Sequence, residues 1–191
     1  MNSLTPMRII CHLSALALLC TVFSKAGWAG QGSHPPAPLE RAYVGLALDT
    51  ERHDICAKIS PRSRESYLLN SSGTRVYYTR SACYQYLAQR TLNPFFCRQV
   101  KEAKSGWFLS GHHFSPESCK ILVSSGKPFR AHIGFDHEKV LRAAGYTDAD
   151  VKAIIADHPR PGSWSEFYHG FQKRNDGSLL RKLDNLPDFS D

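Results

Sequence analysis

The sequence has 191 residues and a formal net charge of +7, and 42% of its residues are hydrophobic. This length is sufficient for one ordinary domain with a hydrophobic core. The positive charge favours weak attraction to acidic partners, but the basic residues are scattered, with Arg62-Ser63-Arg64 and Lys173-Arg174 as the densest clusters. Because no basic stripe is present, we predict that the protein does not bind nucleic acid.

Residues 1–29 have the pattern of a secretory signal peptide. Arg8 precedes an apolar run from Ile9 to Phe23, and small residues around Trp28 lead to a cleavage site after Ala29. The run is about 15 residues long, short of the roughly 20 that a membrane helix requires. Lipid attachment at Cys20 is the less favoured alternative, because a bulky leucine precedes it. We therefore predict a periplasmic or secreted protein with no transmembrane segment after signal removal.

The remaining chain divides into two predicted parts. Residues 30–38 form a proline-rich lead without apolar periodicity, which predicts a flexible spacer. Residues 39–191 are predicted to form a single helical domain. A subdivision near 126–128 is the alternative, because Gly126-Lys127-Pro128 interrupts the helical pattern there.

Apolar spacing and capping residues along this part predict short helices. Leu39, Tyr43 and Leu46 share one helical face, and Gly145 is placed to end a later helix. Capping side chains mark predicted helix starts at Ser60-Pro61, Asn93-Pro94, Ser115-Pro116, Asp136, Thr147 and Ser163. Residues 129–135 are the only stretch whose alternation favours a strand. The predicted fold class is all-α: a compact multi-helix domain of about seven to nine short helices.

The region after the signal contains four cysteines: Cys56, Cys83, Cys97 and Cys119. An even number of cysteines in an exported chain predicts disulfides, and four cysteines permit three connectivities. Cys56 and Cys97 are each followed by an apolar residue three positions later, and each precedes a further cysteine in a helical context. This internal similarity favours the pairs Cys56–Cys83 and Cys97–Cys119, each closing a helical hairpin in the N-terminal half.

The same cysteines do not predict redox or zinc chemistry. No two of them have the CxxC spacing of a redox pair, and their long separations are unlike those of structural zinc sites. We therefore predict that all four serve the architecture.

The histidines suggest one alternative chemistry. His112 and His113, with His132 and His137 further along, supply the imidazoles that a catalytic zinc would need. The metal set of this alternative is His113, His132 and His137, in a secreted hydrolase. No HExxH or GxSxG motif supports it, and no phosphate-binding glycine loop is present. We predict no cofactor in the preferred interpretation.

A glycine-flanked aromatic segment is the candidate binding surface. It runs between the two cysteines of the second predicted pair, and its candidate residues are Trp107, Phe108, His112, His113 and Phe114. Aromatic side chains give a large contact area at low entropy cost, which favours recognition. The alternative is that the aromatic residues fold inward, as large apolar side chains usually do.

Export, disulfides, positive charge and the lack of a catalytic motif together predict a class of protein. We expect a non-catalytic, disulfide-stabilised helical binding module that acts on a protein or an anionic envelope component. Inhibitor, immunity and accessory proteins are all compatible with this class. The sequence leaves the oligomeric state open, and a secreted hydrolase with a histidine-rich site is the alternative.

Overall fold

The computed structural model describes residues 35–69, 73–103, 114–160, 163–173 and 182–191. Among these residues the structure is mostly helical. The α-helices are α1 (Pro38–Thr50), α2 (His53–Ala57), α3 (Thr79–Thr91), α4 (Pro116–Ser124), α5 (His137–Ala143), α6 (Asp148–Asp157) and α7 (Ser163–Lys173). A 3-10 helix spans Pro94–Gln99. The all-α prediction is confirmed, and the signal-peptide prediction lies outside the described residues.

Two short strands are the exception to the helical pattern. Strands β1 (Arg64–Leu69) and β2 (Gly73–Tyr78) pair antiparallel, with Arg64 opposite Tyr78 and Glu65 opposite Tyr77. Polar contacts join them, since Arg64 Nη2 donates to the Tyr78 hydroxyl at 2.9 Å and the Tyr77 hydroxyl donates to Glu65 Oε2 at 3.3 Å. The pairing therefore depends on cross-strand contacts rather than on apolar alternation.

Most predicted helix starts are confirmed by their caps. The side chains of Asn93, Ser115, Asp136 and Thr147 each accept a hydrogen bond from a backbone N–H in the first turn. The prediction at Ser60-Pro61 is wrong. Ser60 Oγ accepts from the backbone N–H of Arg62 at 3.2 Å, and the chain turns there towards β1.

The strand predicted for residues 129–135 is also wrong, because this segment has no regular secondary structure. Its apolar residues instead contact helices. The Phe129 ring stacks on Tyr86 of α3 at 4.6 Å between centroids, and the Phe129 N–H donates to the Gln89 carbonyl oxygen at 3.4 Å. The alternation that resembled a strand therefore reflects packing of an extended segment on helices.

Helix α1 is central to the core. All of its residues from Ala42 to Thr50 are buried, and α2, α3, α5 and α7 pack against it. The C-terminal segment also reaches α1, because the Tyr43 hydroxyl donates to the Pro187 carbonyl oxygen at 2.8 Å. The proline-rich lead is described only from Pro35 onwards, where Pro36 is buried and α1 begins at Pro38.

The two predicted disulfides are present. Cys56–Cys83 joins α2 to α3, and Cys97–Cys119 joins the 3-10 helix to α4. Strands β1 and β2 lie within the first loop, so this loop is more than a helical hairpin. Such bonds are typical of an oxidising, extracellular compartment.

Within the described part of the chain, no helix combines the length and apolar character that crossing a membrane requires.

Candidate functional site

A cavity of about 320 Å³ lies between the first half of α1, the β1–β2 pair, the start of α3 and the segment 133–136. It is open to solvent on one side. Its lining combines aromatic, aliphatic and charged side chains, among them Arg41, Ala42, Glu65, Tyr77, Thr79, Ala82, Tyr86, Phe135 and Asp136. Ligand pockets in proteins have this kind of mixed lining.

Gly45 fixes the position of one wall. A Cβ atom at Gly45 would lie 2.5 Å from the carbonyl oxygen of Ile133 and would overlap the ring of Phe135. Only a residue without a side chain therefore lets the segment 133–136 lie directly on α1. Arg90 Nη2 adds a tether, since it donates to the Ala131 carbonyl oxygen at 3.1 Å.

Charged groups line the mouth of the cavity. Arg41 Nε lies 3.8 Å from Glu65 Oε1, and the other oxygen of Glu65 accepts the Tyr77 hydroxyl. Arg41 is more than half exposed, so this ion pair contributes little to stability. Asp136 accepts a hydrogen bond from the Lys139 N–H at the start of α5. The mouth therefore presents a guanidinium, two carboxylates and a phenol to an entering group.

One polar group at the cavity wall lacks a partner. Thr79 is 1% exposed, and its hydroxyl makes no hydrogen bond within the described part of the structure. An unsatisfied buried hydroxyl costs about 1–3 kcal/mol. The backbone of Thr79 is held in place, because its N–H donates to the Ser63 carbonyl oxygen at 3.0 Å. The hydroxyl oxygen itself is inaccessible to solvent, so a group in the cavity would reach it only if neighbouring side chains moved.

Aromatic side chains form the wall next to Thr79. The Phe114 ring lies behind this wall, 5.0 Å from the Tyr77 ring and 5.8 Å from the Tyr86 ring. Phe114 is only 5% exposed, so in this structure it folds inward, as in the alternative interpretation of the aromatic segment, and its role in binding stays a prediction. It supports the two tyrosines from the core. The other candidates of that segment, Trp107, Phe108, His112 and His113, lie outside the described residues, so for them binding stays a prediction.

His132 and His137 flank the segment 133–136 in the sequence and have different surroundings. His132 Nδ1 lies 3.8 Å from Asp49 Oδ1. His137 is enclosed by aromatic rings: it stacks on Trp164 with centroids 3.8 Å apart, and its Nδ1 is 3.2 Å from the Tyr168 hydroxyl oxygen. Burial, together with a smaller effect of the nearby His132 charge and against the opposing charge of Asp136, lowers the pKa of His137 to about 4.

Asp49 is a further buried polar residue with an atom that lacks a hydrogen-bond partner in the described part of the chain. Its side chain is almost fully buried, and within the described residues its Oδ2 atom has no hydrogen-bond partner. Burial raises the pKa of Asp49, although His132, Arg90 and His169 lower it in part. A buried carboxylate beside an imidazole is an arrangement that enzymes use for proton transfer.

The predicted metal set of the alternative interpretation is His113, His132 and His137. His113 lies outside the described residues. Among residues 35–69, 73–103, 114–160, 163–173 and 182–191, no group of three or more His, Cys, Asp or Glu residues is placed to hold a metal ion. His132 and His137 therefore lack a third ligand from the described part of the chain.

The sequence contains few signals for this cavity. Arg41, Glu65 and Thr79 belong to no motif, and they meet only through the fold. The one available signal was Gly45, a glycine inside a predicted helix, which often marks a close approach of another segment.

Comparisons with protein-family models, with curated proteins and with solved structures found no match. The function must therefore be argued from the geometry of the site.

Proposed function

We propose that this protein is an exported, disulfide-stabilised helical binding module without catalytic activity, which receives a small amphipathic group in the cavity beside α1. The group would belong to a protein or to an anionic envelope component, and the module would act as an inhibitor, an immunity protein or an accessory. The observation that carries the proposal is the cavity itself, whose mixed apolar and charged lining includes Thr79, a residue with a buried hydroxyl that has no hydrogen-bond partner among the described residues.

The composition of the cavity supports binding. Its volume of about 320 Å³ is at the lower end of the range for ligand pockets, which suits a side chain or a small molecule. Tyr77, Tyr86 and Phe135 offer apolar contact area, while Arg41 and Glu65 offer charges at the mouth. An entering group with an apolar body and one hydrogen-bonding end would match both features.

The two disulfides and the signal-like segment 1–29 support export. Both disulfides close parts of the fold that contribute to the cavity or its support: Cys83 lies in α3, which supplies Thr79, and Cys119 lies in α4, which follows Phe114. A binding site fixed by covalent bonds loses less conformational entropy when it binds a partner.

Variants of the cavity test this proposal. The protein would be screened against a fragment library by ligand-observed NMR, and hits would be measured with Ala42→Leu, which fills the cavity, and with Thr79→Val, which removes only the hydroxyl. We expect Ala42→Leu to abolish binding and Thr79→Val to weaken it about threefold to tenfold. Thr79→Val should also stabilise the free protein, because it removes an unsatisfied hydroxyl.

Thr50→Val is the matched control. Thr50 is equally buried, but its hydroxyl donates to the Leu46 carbonyl oxygen at 2.7 Å and lies outside the cavity lining. This variant should lower stability and leave fragment binding unchanged. If no fragment binds the protein, or if hits bind all three variants as they bind the wild type, the cavity is not the binding site.

The buried Asp49 beside His132 favours a second candidate, a secreted hydrolase. Here Asp49 would orient the half-exposed imidazole of His132, which would act as a general base. The test is turnover of ester, amide, phosphoester and glycoside substrates, with Asp49→Asn and His132→Gln as variants. Zinc content by elemental analysis separates the metal-dependent form. Turnover that both variants abolish would support the hydrolase, and absence of turnover by the wild type would reject it.

A further inference from the structure

In the part of the chain that the structure describes, the exposed large apolar side chains come from neighbouring elements that contact one another. Among the described residues, only Leu92, Phe95, Ile121 and Leu122 are large, apolar and exposed, with Phe95 56% and Ile121 71% exposed. Single exposed apolar residues are ordinary, but a concentration of them marks an interaction site. We call these four residues the apolar face.

The fold keeps the members of the apolar face close together. Leu92 and Phe95 belong to the end of α3 and to the 3-10 helix, and Ile121 and Leu122 belong to α4. The Cys97–Cys119 disulfide joins these two elements and holds the Cα atoms of its cysteines 5.5 Å apart. Both cysteines are fully buried, so the disulfide belongs to the core that the two elements share.

The conformation of Leu92 adds an independent observation. Leu92 ends α3 in the left-handed region with φ of 52°, a position where helices usually have glycine or asparagine. Leucine is unfavourable there, because its Cβ atom crowds the backbone. Leu92 is 43% exposed in this conformation, so part of its apolar side chain is available for contact with another molecule.

Two basic side chains neighbour residues of the apolar face. The Arg98 guanidinium lies over the Phe95 ring at 5.4 Å from its centroid, and Lys120 directly precedes Ile121 and is exposed. Between residues 90 and 130 the described basic residues are Arg90, Arg98, Lys101, Lys120, Lys127 and Arg130, against the acids Glu102 and Glu117. This stretch of the sequence therefore carries more basic than acidic residues, and Arg98 and Lys120 are the ones next to members of the apolar face.

We infer that the apolar face docks the protein on an anionic lipid membrane. Its apolar side chains enter the boundary between headgroups and acyl chains, while Arg98 and Lys120 contact lipid phosphates. Peripheral membrane-binding surfaces combine these two features. The cores of protein–protein interfaces are instead depleted in lysine, which makes a protein partner the less favoured occupant. This surface is distinct from the cavity, so the inference does not rest on the proposed function.

Vesicle binding tests the inference. The protein would be mixed with vesicles of phosphatidylcholine and with vesicles of phosphatidylcholine containing phosphatidylglycerol, and the bound fraction measured by co-sedimentation. We expect binding to the anionic vesicles only, and weaker binding as the salt concentration rises. The double variant Ile121→Ser/Leu122→Ser should reduce binding by about tenfold or more, because the lipid would lose two apolar contacts.

A charge-matched pair of variants separates local from general electrostatics. Lys120→Glu and Lys152→Glu change the net charge equally, but Lys152 is an exposed residue of α6. Lys120→Glu should weaken vesicle binding several-fold more than Lys152→Glu. Because all substituted residues are exposed, circular dichroism should show an unchanged fold for every variant.

Three results would overturn the inference. The first is failure of the wild type to bind anionic vesicles. The second is equal binding by the wild type and the Ile121→Ser/Leu122→Ser variant, which would mean that attraction is electrostatic alone. The third is a dimer in analytical ultracentrifugation that the same double variant dissociates, which would assign the apolar face to a second copy of the chain.

Discussion

Gly45 and Phe135 are in such close contact that no side chain fits between them. A Cβ atom on Gly45 would overlap the Phe135 ring and lie 2.5 Å from the Ile133 carbonyl oxygen. Gly45 belongs to α1, most of which is buried, and Phe135 belongs to a segment without regular secondary structure. This contact places Phe135 and Asp136 at the cavity, so a residue without a side chain determines the shape of the candidate site.

Gly45→Ala should therefore destabilise the protein, although alanine usually stabilises a helix interior by about 1 kcal/mol relative to glycine. We expect the overlap to lower the free energy of unfolding by about 1–3 kcal/mol, because either the helix or the segment 133–136 must shift. Urea denaturation measures this change. Gly134→Ala is the control, since a Cβ atom there has no neighbour within 4 Å. A Gly45→Ala variant as stable as the wild type would contradict the prediction.

Local features of the sequence predicted local structure well. The caps at Asn93, Ser115, Asp136 and Thr147 form within the first turn of their own helices, so each can be recognised from a few neighbouring residues. Strands β1 and β2 were missed because Arg64–Leu69 lacks alternation, and its pairing depends on contacts with the partner strand. The cavity was missed for the same reason, because its walls come from distant parts of the chain.

Loss of either disulfide should cost a large part of the stability. The disulfides close loops of 27 and 22 residues, and in the chain-entropy model each contributes about 3.5 kcal/mol, which is an upper guide. We expect the double variant Cys97→Ala/Cys119→Ala to lose about 3 kcal/mol in chemical denaturation. Substituting both cysteines avoids a free thiol. A loss below about 1 kcal/mol would contradict this account.

Peptide mapping of the unreduced protein checks the connectivity that this prediction assumes. Digestion should release Cys56 joined to Cys83, and Cys97 joined to Cys119. The sequence permitted three connectivities, and only the internal similarity around Cys56 and Cys97 favoured this one. Free thiols among these four cysteines would contradict the structure and reopen redox chemistry.

Asp49 should make the protein less stable as the pH rises. Burial raises the pKa of Asp49 above its ordinary value of 3.8, against the opposing charges of His132, Arg90 and His169. Between the two pKa values the folded state binds more protons than the unfolded state, so stability falls as the pH increases through this window. Burial, and to a smaller extent the Asp49 charge, raises the pKa of Tyr168, so this phenol also interacts with Asp49.

The variant Asp49→Asn removes this contribution. Urea denaturation over a pH series measures the free energy of unfolding of both proteins. The value for the variant minus the value for the wild type should be larger at neutral pH than below pH 3.8. Asp150→Asn is a control of opposite sign. A hydrogen bond from Thr147 lowers the pKa of Asp150, so this carboxylate stabilises the folded state above its ordinary pKa of 3.8 and loses that effect as the pH falls. The same pH dependence for both variants would contradict the account of Asp49.

His137 should make the protein less stable as the pH falls. Burial is the main reason that its pKa is about 4 in the folded state instead of the ordinary 6.5, with the His132 charge adding to the decrease and Asp136 opposing it. Between these values the unfolded state binds more protons, so stability is present above pH 6.5 and is lost as the pH falls towards 4. After allowance for partial exposure, we expect a loss of about 2 kcal/mol across this window.

NMR titration of the His137 ring measures the pKa directly, and two variants identify its cause. His137→Phe keeps an aromatic ring against Trp164 but cannot be protonated, so the dependence of stability on pH should flatten between 6.5 and 4. Tyr168→Phe removes the hydroxyl that lies 3.2 Å from His137 Nδ1 but leaves the ring buried. Because burial is the larger cause, the pH dependence should persist in Tyr168→Phe. If Tyr168→Phe restores an ordinary pKa, the hydrogen bond rather than burial keeps His137 neutral.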